Sequence, residues 1–238
     1  MGTSERKQRE RQDREQLFLD TAEQMIATDG IIELQMAKLA KACDYATGTL
    51  YQHFTSREDL LVALSARHSA QHLQMFQQII ALDVNSRDKM FAISVAERDF
   101  RKLNPIHAKL TQYIFTEAVW ENASSVRREQ VLQCGQPIAA LVSGIVQQAI
   151  DEGALPAQGC SAMELAIAPW ALCQGSHTLE QTSGLLEAFS VPRHDMQLYR
   201  HMHMLLNGMG WQPLVDVADM AQIKAKAKQL SNLLQQVS

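Results

Sequence analysis

Apolar residues recur along this chain at helical intervals. Phe18, Ala22, Met25 and Ile26 stand at i, i+4, i+7 and i+8, the spacing that places side chains on one face of a helix. They predict a helix from Phe18 to Asp29 that stops at Gly30 as its C-terminal cap. Residues 1 to 15 interleave Arg6, Lys7, Arg9, Arg11 and Arg14 with Glu5, Glu10 and Asp13, and read as a frayed, solvated arm. Phosphate or minor-groove contacts are the rival role for its basic residues. Met36, Leu39, Ala40 and Cys43 mark a second, shorter helical face, which Asp44-Tyr45 interrupts. Leu50 and Phe54 would turn a third short helix inward, leaving Thr47, Gly48 and Thr49 at its outer, N-terminal end. Thr55 with Glu58, or Ser56 with Asp59, offers a capping box. A long helix follows, carrying Leu60, Leu61, Leu64, His68, Met75, Phe76 and Ile79 to about Ala81.

Beyond Asp83 the pattern contains neither strand alternation nor an internal repeat. Helices are expected at 87–103, at 105–121 with Pro105 in the first turn, and at 124–152 ending at Gly153. Three more are expected at 161–182, 195–209 and 213–235, with a loop around 183–192. Pro137 and Pro169 fall inside two of these helices and should kink or divide them. The fold class is all-α. It divides into a three-helix helix-turn-helix domain over 10–70 and a larger helical domain over 71–238.

Composition narrows the classes of function. A chain of 238 residues with 46% apolar and 20% charged residues is an ordinary globular one. Its formal charge of −4 argues against coating nucleic acid by bulk charge, so any DNA contact must be local. Cys43, Cys134, Cys160 and Cys173 are scattered without a C-x-x-C pair, which fits a reduced, cytoplasmic setting. The longest apolar run, Ile138 to Val146, is too short for a membrane span.

Two short helices joined by a tight turn and braced by a third form the helix-turn-helix arrangement, in which the second helix of the pair enters the DNA major groove. Such a helix must be slim at its leading end. Thr47, Gly48 and Thr49 leave room there and bring methyl and hydroxyl groups for bases or phosphates. Tyr51 and His53 would reach phosphates along the groove wall, and Arg57 would add a charge near the start of the next helix. On spacing alone, an ordinary exposed face of a three-helix cluster explains the same residues about as well.

The stretch "LAKACDYATGTLYQHFTSREDLL" resembles the DNA-binding region of the tetracycline-repressor (TetR) family of bacterial transcription regulators. The resemblance is carried by Leu39-Ala40, by Gly48-Thr49-Leu50-Tyr51, by His53-Phe54 and by Ser56-Arg57-Glu58 with Leu60. It covers about residues 15 to 65. It implies Thr47, Gly48 and Thr49 near bases and Tyr51, His53 and Arg57 at phosphates, with Gln35 and Ala46 at flanking contact positions. Asp44 stands where the family has a glycine in the left-handed conformation, Ala46 where it has a capping serine, and Gln35 where a capping Thr or Ser is common.

The resemblance also implies a homodimer on a palindromic operator and a C-terminal domain whose small-molecule ligand releases the DNA, more as a repressor than an activator. Phe91, His107, Tyr113, Phe115, Trp120 and Trp170 are the candidate lining of a largely apolar ligand site. Plain core packing explains any one of them. The helices near 161–182 and 195–209 are the candidate dimer contacts, with Met202, Leu205, Leu206 and Met209 as an apolar surface. A metal sensor using His68 and His72, a thiol sensor using Cys160 or Cys173, and a helical protein-binding adaptor are the rivals. No catalytic motif, cofactor motif or third metal ligand is legible.

Overall fold

The computed structural model describes residues 3–182, 184–191 and 194–237. Helices form α1 (Thr3–Asp29), α2 (Met36–Ala42), α3 (Thr47–Tyr51), α4 (Arg57–Ala66), α5 (Ser69–Ala81) and α6 (Ser86–Leu103). They continue as α7 (Pro105–Ile114), α8 (Glu117–Asn122), α9 (Ser125–Asp151), α10 (Ala162–Gln181), α11 (Leu185–Ala188), α12 (His194–Gly208) and α13 (Met220–Val237). No strand occurs among the described residues.

The chain divides into two compact units, one of residues 1–69 with 104–134 and one of 70–103 with 135–238. The division at 70/71 therefore needs correction, because residues 104–134 fold with the N-terminal segment. Leu110 of α7 joins Phe18, Ala22, Ile26, Leu39, Leu50, Phe54, Leu60 and Leu64 in one core. Ile114, Val119 and Ala123 bury Val62 of α4 beside it. Amphipathic short helices such as α2 and α3 cannot hide their apolar faces alone, and α7 and α8 complete the cover.

Several element boundaries differ from those the periodicity predicts. The N-terminal arm is helical, since α1 starts at Thr3. The expected 55–81 helix is two, α4 and α5, separated where Arg67 pairs with Asp20 and Glu23 and His68 meets Glu23. The expected 105–121 helix breaks at Phe115-Thr116; the Thr116 hydroxyl bonds back to the Tyr113 carbonyl at 2.7 Å, a local alternative to the helical ladder. Helix α13 starts at Met220 rather than 213, because the Asn207 side chain accepts from Val215 N and donates to Val215 O, at 3.1 and 2.7 Å. Asp219 then receives Gln222 N at 2.9 Å as the N-terminal cap. Pro137 and Pro169 lie inside α9 and α10, and neither divides its helix.

The second unit buries Phe76, Ile79, Phe91, Val146, Leu198, Tyr199, Leu206, Trp211, Ile223 and Leu230 together. Arg87 is buried among them and donates to the carbonyls of Trp211 and His203 and to Asn207 Oδ1. These acceptors lie at or beyond the last turn of α12, where the helix dipole favours a cation. Burial still pulls the Arg87 pKa down to about 10, leaving it charged at neutral pH.

Candidate nucleic-acid interface

The turn between α2 and α3 is set by Asp44, which adopts φ 59°, the left-handed region that only Gly, Asn and Asp enter readily. Tyr45 N then returns to Ala40 O at 3.0 Å and closes the turn. Ala46 is extended (φ −65°, ψ 143°) and gives α3 no side-chain cap. Gln35 likewise starts α2 without one. The α3 N-terminus thus keeps its backbone N–H groups free of side-chain caps.

Leu50 and Phe54 are fully buried and fasten the back of α3 to the core. Its front presents Ala46, Thr47 and Gly48 to solvent, with Thr49 half-buried and Tyr51 47% exposed. A Cβ added at Gly48 would meet nothing within 4 Å. The chain itself does not require glycine there, and the empty space belongs to whatever approaches α3.

Two expected phosphate contacts are placed otherwise. His53 is buried, stacks edge-on against Phe18 and faces Glu15 at 3.5 Å. Burial lowers its pKa most; Glu15 opposes this, Arg11 and Arg14 add to it, and the net shift is downward. A buried neutral imidazole is a packing group rather than a cationic phosphate contact. The Arg57 guanidinium donates to Leu34 O and Ile31 O at 3.0 and 2.5 Å and lies over the Tyr113 ring. It braces the loop between α1 and α2, so its donors are already engaged.

Of the two capping pairs the sequence offered, Ser56 with Asp59 forms, Ser56 accepting from Asp59 N at 3.0 Å; what the sequence did not show is the clasp that Ser124 and Arg127 add to it. Asp59 accepts from Thr55 N at 3.0 Å, from the Thr55 hydroxyl, and from Ser124 N at 2.6 Å. Burial opposes its ionisation, yet the bonds from Thr55 and Ser124 prevail and its pKa falls. Arg127 bonds Glu15 at 2.8 Å and the His53 carbonyl at 3.2 Å, with its guanidinium over Phe54. No local pattern announces partners more than sixty residues away.

The ligand candidates are spread over both units. His107, Tyr113, Phe115 and Trp120 belong to the first, where His107 is buried and Phe115 half-exposed. Phe91 and Trp170 belong to the second; Phe91 is fully buried against Tyr199 and His203, and Trp170 is 51% exposed on α10. The six therefore do not gather within either unit. What does gather in the second unit is a polar group unmarked in the sequence. His72 meets Glu97 at 2.6 Å, His177 meets Glu180 at 3.5 Å, and Arg101 and Cys173 interact electrostatically with both carboxylates. Nε2 of buried His177 has no hydrogen-bond partner among the described residues. Burial and the two carboxylates push the Cys173 thiol up to about 12, leaving it a weak nucleophile. His68 and His72, the proposed metal pair, are committed to different carboxylates, Glu23 and Glu97.

The apolar surface expected on α12 is also relocated. Met202, Leu206 and Met209 are buried in the unit's own core. The exposed large apolar side chains of these two helices are Met204 on α12 and Leu179, Met163, Ile167 and Trp170 on α10. The last three, spaced by four and three, share one face.

A tight-turned helix pair with a slim exposed second helix, joined to a separate all-helical unit, defines a DNA-binding transcriptional regulator. Residues 18–64 match the family described as "Bacterial regulatory proteins, tetR family", and in that segment the chain is similar to the regulators of that family. It is 24% identical over 136 residues to the fatty acid metabolism regulator protein of Bacillus subtilis, covering 57% of this chain and 68% of that one. The fold is similar to the crystal structure of FadR from Bacillus subtilis in complex with stearoyl-CoA, at TM-score 0.59 and 17% identity over 81% of this chain and 98% of that one. A bacterial regulatory protein of the tetR family from Rhodococcus RHA1 superposes at TM-score 0.60 with 15% identity, covering 83% and 97%. No helix among the described residues is long and apolar enough to cross a membrane.

Proposed function

We propose that this chain acts in the cytoplasm as a homodimeric repressor, reading a palindromic operator with Thr47, Gly48, Thr49 and Tyr51 and releasing it when a small, largely apolar molecule binds the second unit. The observation that carries this reading is the leading end of α3, exposed in front and anchored behind by Leu50 and Phe54. Ala46 and Gln35 flank it at exposed positions. The Met163, Ile167 and Trp170 face of α10, together with exposed Met204 of α12, supports a dimer, since apolar and aromatic side chains collected on one face mark an interface. Two recognition helices spaced about 34 Å apart meet successive major grooves on one side of the duplex. In the second unit the unpartnered His177 Nε2 and the Glu97–His72 pair supply polar anchors beside an apolar core. The FadR neighbour carries stearoyl-CoA, so a long-chain acyl-CoA is the first effector class to try. Such a ligand releases DNA only if it binds the released state more tightly than the DNA-bound one.

The test is selection of duplexes from a random-sequence pool by the full-length chain, followed by mobility shifts on the enriched duplex. Discrete, salt-sensitive binding is expected, weakened about tenfold or more by Thr49→Ala or Tyr51→Phe and reversed by stearoyl-CoA. Failure to enrich any sequence sinks the operator reading. Enrichment with no effect of acyl-CoA sinks only the effector class.

A further inference from the structure

The helical arm ahead of the DNA-binding core has a segregated charge pattern. In α1 the buried stripe Phe18, Ala22 and Ile26 continues toward the N-terminus as Arg14, Arg11 and Lys7, at spacings of four, three and four. These intervals keep one helical face, which changes from apolar to wholly basic where it leaves the core. A different face carries Arg6, Arg9, Glu10 and Asp13, whose charges cancel, with Arg6 paired to Glu10 at 3.4 Å.

The basic face is turned toward the end of α3. Arg11 Nη2 donates to the carbonyl of Gln52, the residue that closes α3, at 3.3 Å. Arg11 and Arg14 also both act on the His53 imidazole electrostatically. Lys7 and Arg11 are exposed and Arg14 is half-buried. None of the three is ion-paired among the described side-chain pairs, and the Glu15 carboxylate, next in sequence to Arg14, is held by Arg127. Three cations on one face, continuous with the exposed surface of a recognition helix, complement a polyanion and not an apolar or cationic partner.

We propose that Lys7, Arg11 and Arg14 form a sequence-independent phosphate clamp that extends the α3 interface along the DNA backbone. The proposal rests on the DNA-binding reading above. The helical form matters: it projects the cations at fixed intervals from the domain, so much of their ordering is complete before DNA arrives.

The experiment measures binding of the full-length chain across a salt series, on the duplex enriched from the random pool and on a scrambled duplex of equal length. The slope of log K against log[salt] falls by about 0.9 for every phosphate that a variant no longer neutralises. Lys7→Gln/Arg11→Gln/Arg14→Gln should lower the slope by about two or more and weaken both duplexes about tenfold or more near 150 mM salt. Arg6→Gln/Arg9→Gln removes two positive charges, against three in the triple variant, from the other face and should leave the slope within about 0.5 of wild type. The single variant Lys7→Gln, remote from the core, should lower the slope with unchanged thermal unfolding. Equal losses in the two multiple variants would mean bulk charge and overturn the clamp, as would an unchanged slope in the triple variant. Loss confined to the enriched duplex would mean base reading and also overturn it. A wild-type chain that binds neither duplex removes the DNA reading itself, whereas normal wild-type binding with an insensitive arm removes the clamp alone.

Discussion

At the scale of single residues, fold and recognition make separable demands on positions only a few apart. Asp44 serves the fold: its left-handed backbone turns the chain between α2 and α3. Gly48 does not. It lies in a helix with ordinary backbone and open space around the missing Cβ, so glycine there costs helix stability relative to alanine. Gly48→Ala is therefore expected to raise unfolding free energy by up to about 1 kcal/mol while weakening operator binding about tenfold, because the added methyl occupies the space a base edge or sugar would use. Denaturant melts and mobility shifts on the same preparation check both halves. A variant that is more stable and binds normally would show that α3 does not approach the groove at Gly48. His53 and Arg57 show the converse: residue types suited to phosphates are committed to Phe18, Glu15 and the carbonyls of Ile31 and Leu34.

At the scale of elements, α12 carries an acid-sensitive position. His203 is 1% exposed, lies 4.1 Å from the Phe91 ring by centroids, and has no hydrogen-bond partner at either ring nitrogen among the described residues. Burial first, then the Arg87 charge, lowers its pKa to about 4; Asp88 opposes this and Lys226 adds to it. The unfolded chain takes up this proton near pH 6.5 and the folded chain only near 4. Stability is accordingly full above about pH 6.5, falls as the pH drops from there to about 4, and levels off below for this group. The slope from this one residue approaches about 1.4 kcal/mol per pH unit. Urea melts at stepped pH should show it, and His203→Phe should flatten the curve in that window. Arg87 cannot relieve the strain on a protonated His203, being itself a buried cation held by the carbonyls of His203 and Trp211.

At the scale of the whole molecule, an exposed apolar face on α10 calls for a partner, and a second copy is the one the proposed palindromic operator would require. Ile167→Glu/Trp170→Glu places charges at two exposed positions and should leave the subunit folded. Sedimentation should then show the dimer dissociation constant raised at least about a hundredfold, since unpaired charges would be buried at the interface. Binding to the palindromic duplex should fall with it, while binding to a single half-site should not. A variant that still sediments as a dimer would move the interface off α10.

Much of the fold was legible because local physics dictates it. The 3.6-residue apolar rhythm specified helices, Gly30 and Asp44 specified turns, and the short inward pair Leu50 and Phe54 left Thr47, Gly48 and Thr49 as the outer edge. Helix existence follows from spacing along the chain, which is written in the sequence. The tertiary structure alone decided which side chains were already engaged. It turned His53 inward, gave Arg57 to two carbonyls, drew 104–134 beneath α4, set Ser124 and Arg127 around α3 and α4, and buried Met202 and Leu206 while exposing Ile167 and Trp170. Each of these depends on partners distant in sequence, and periodicity shows that a residue has a face without showing what that face will meet.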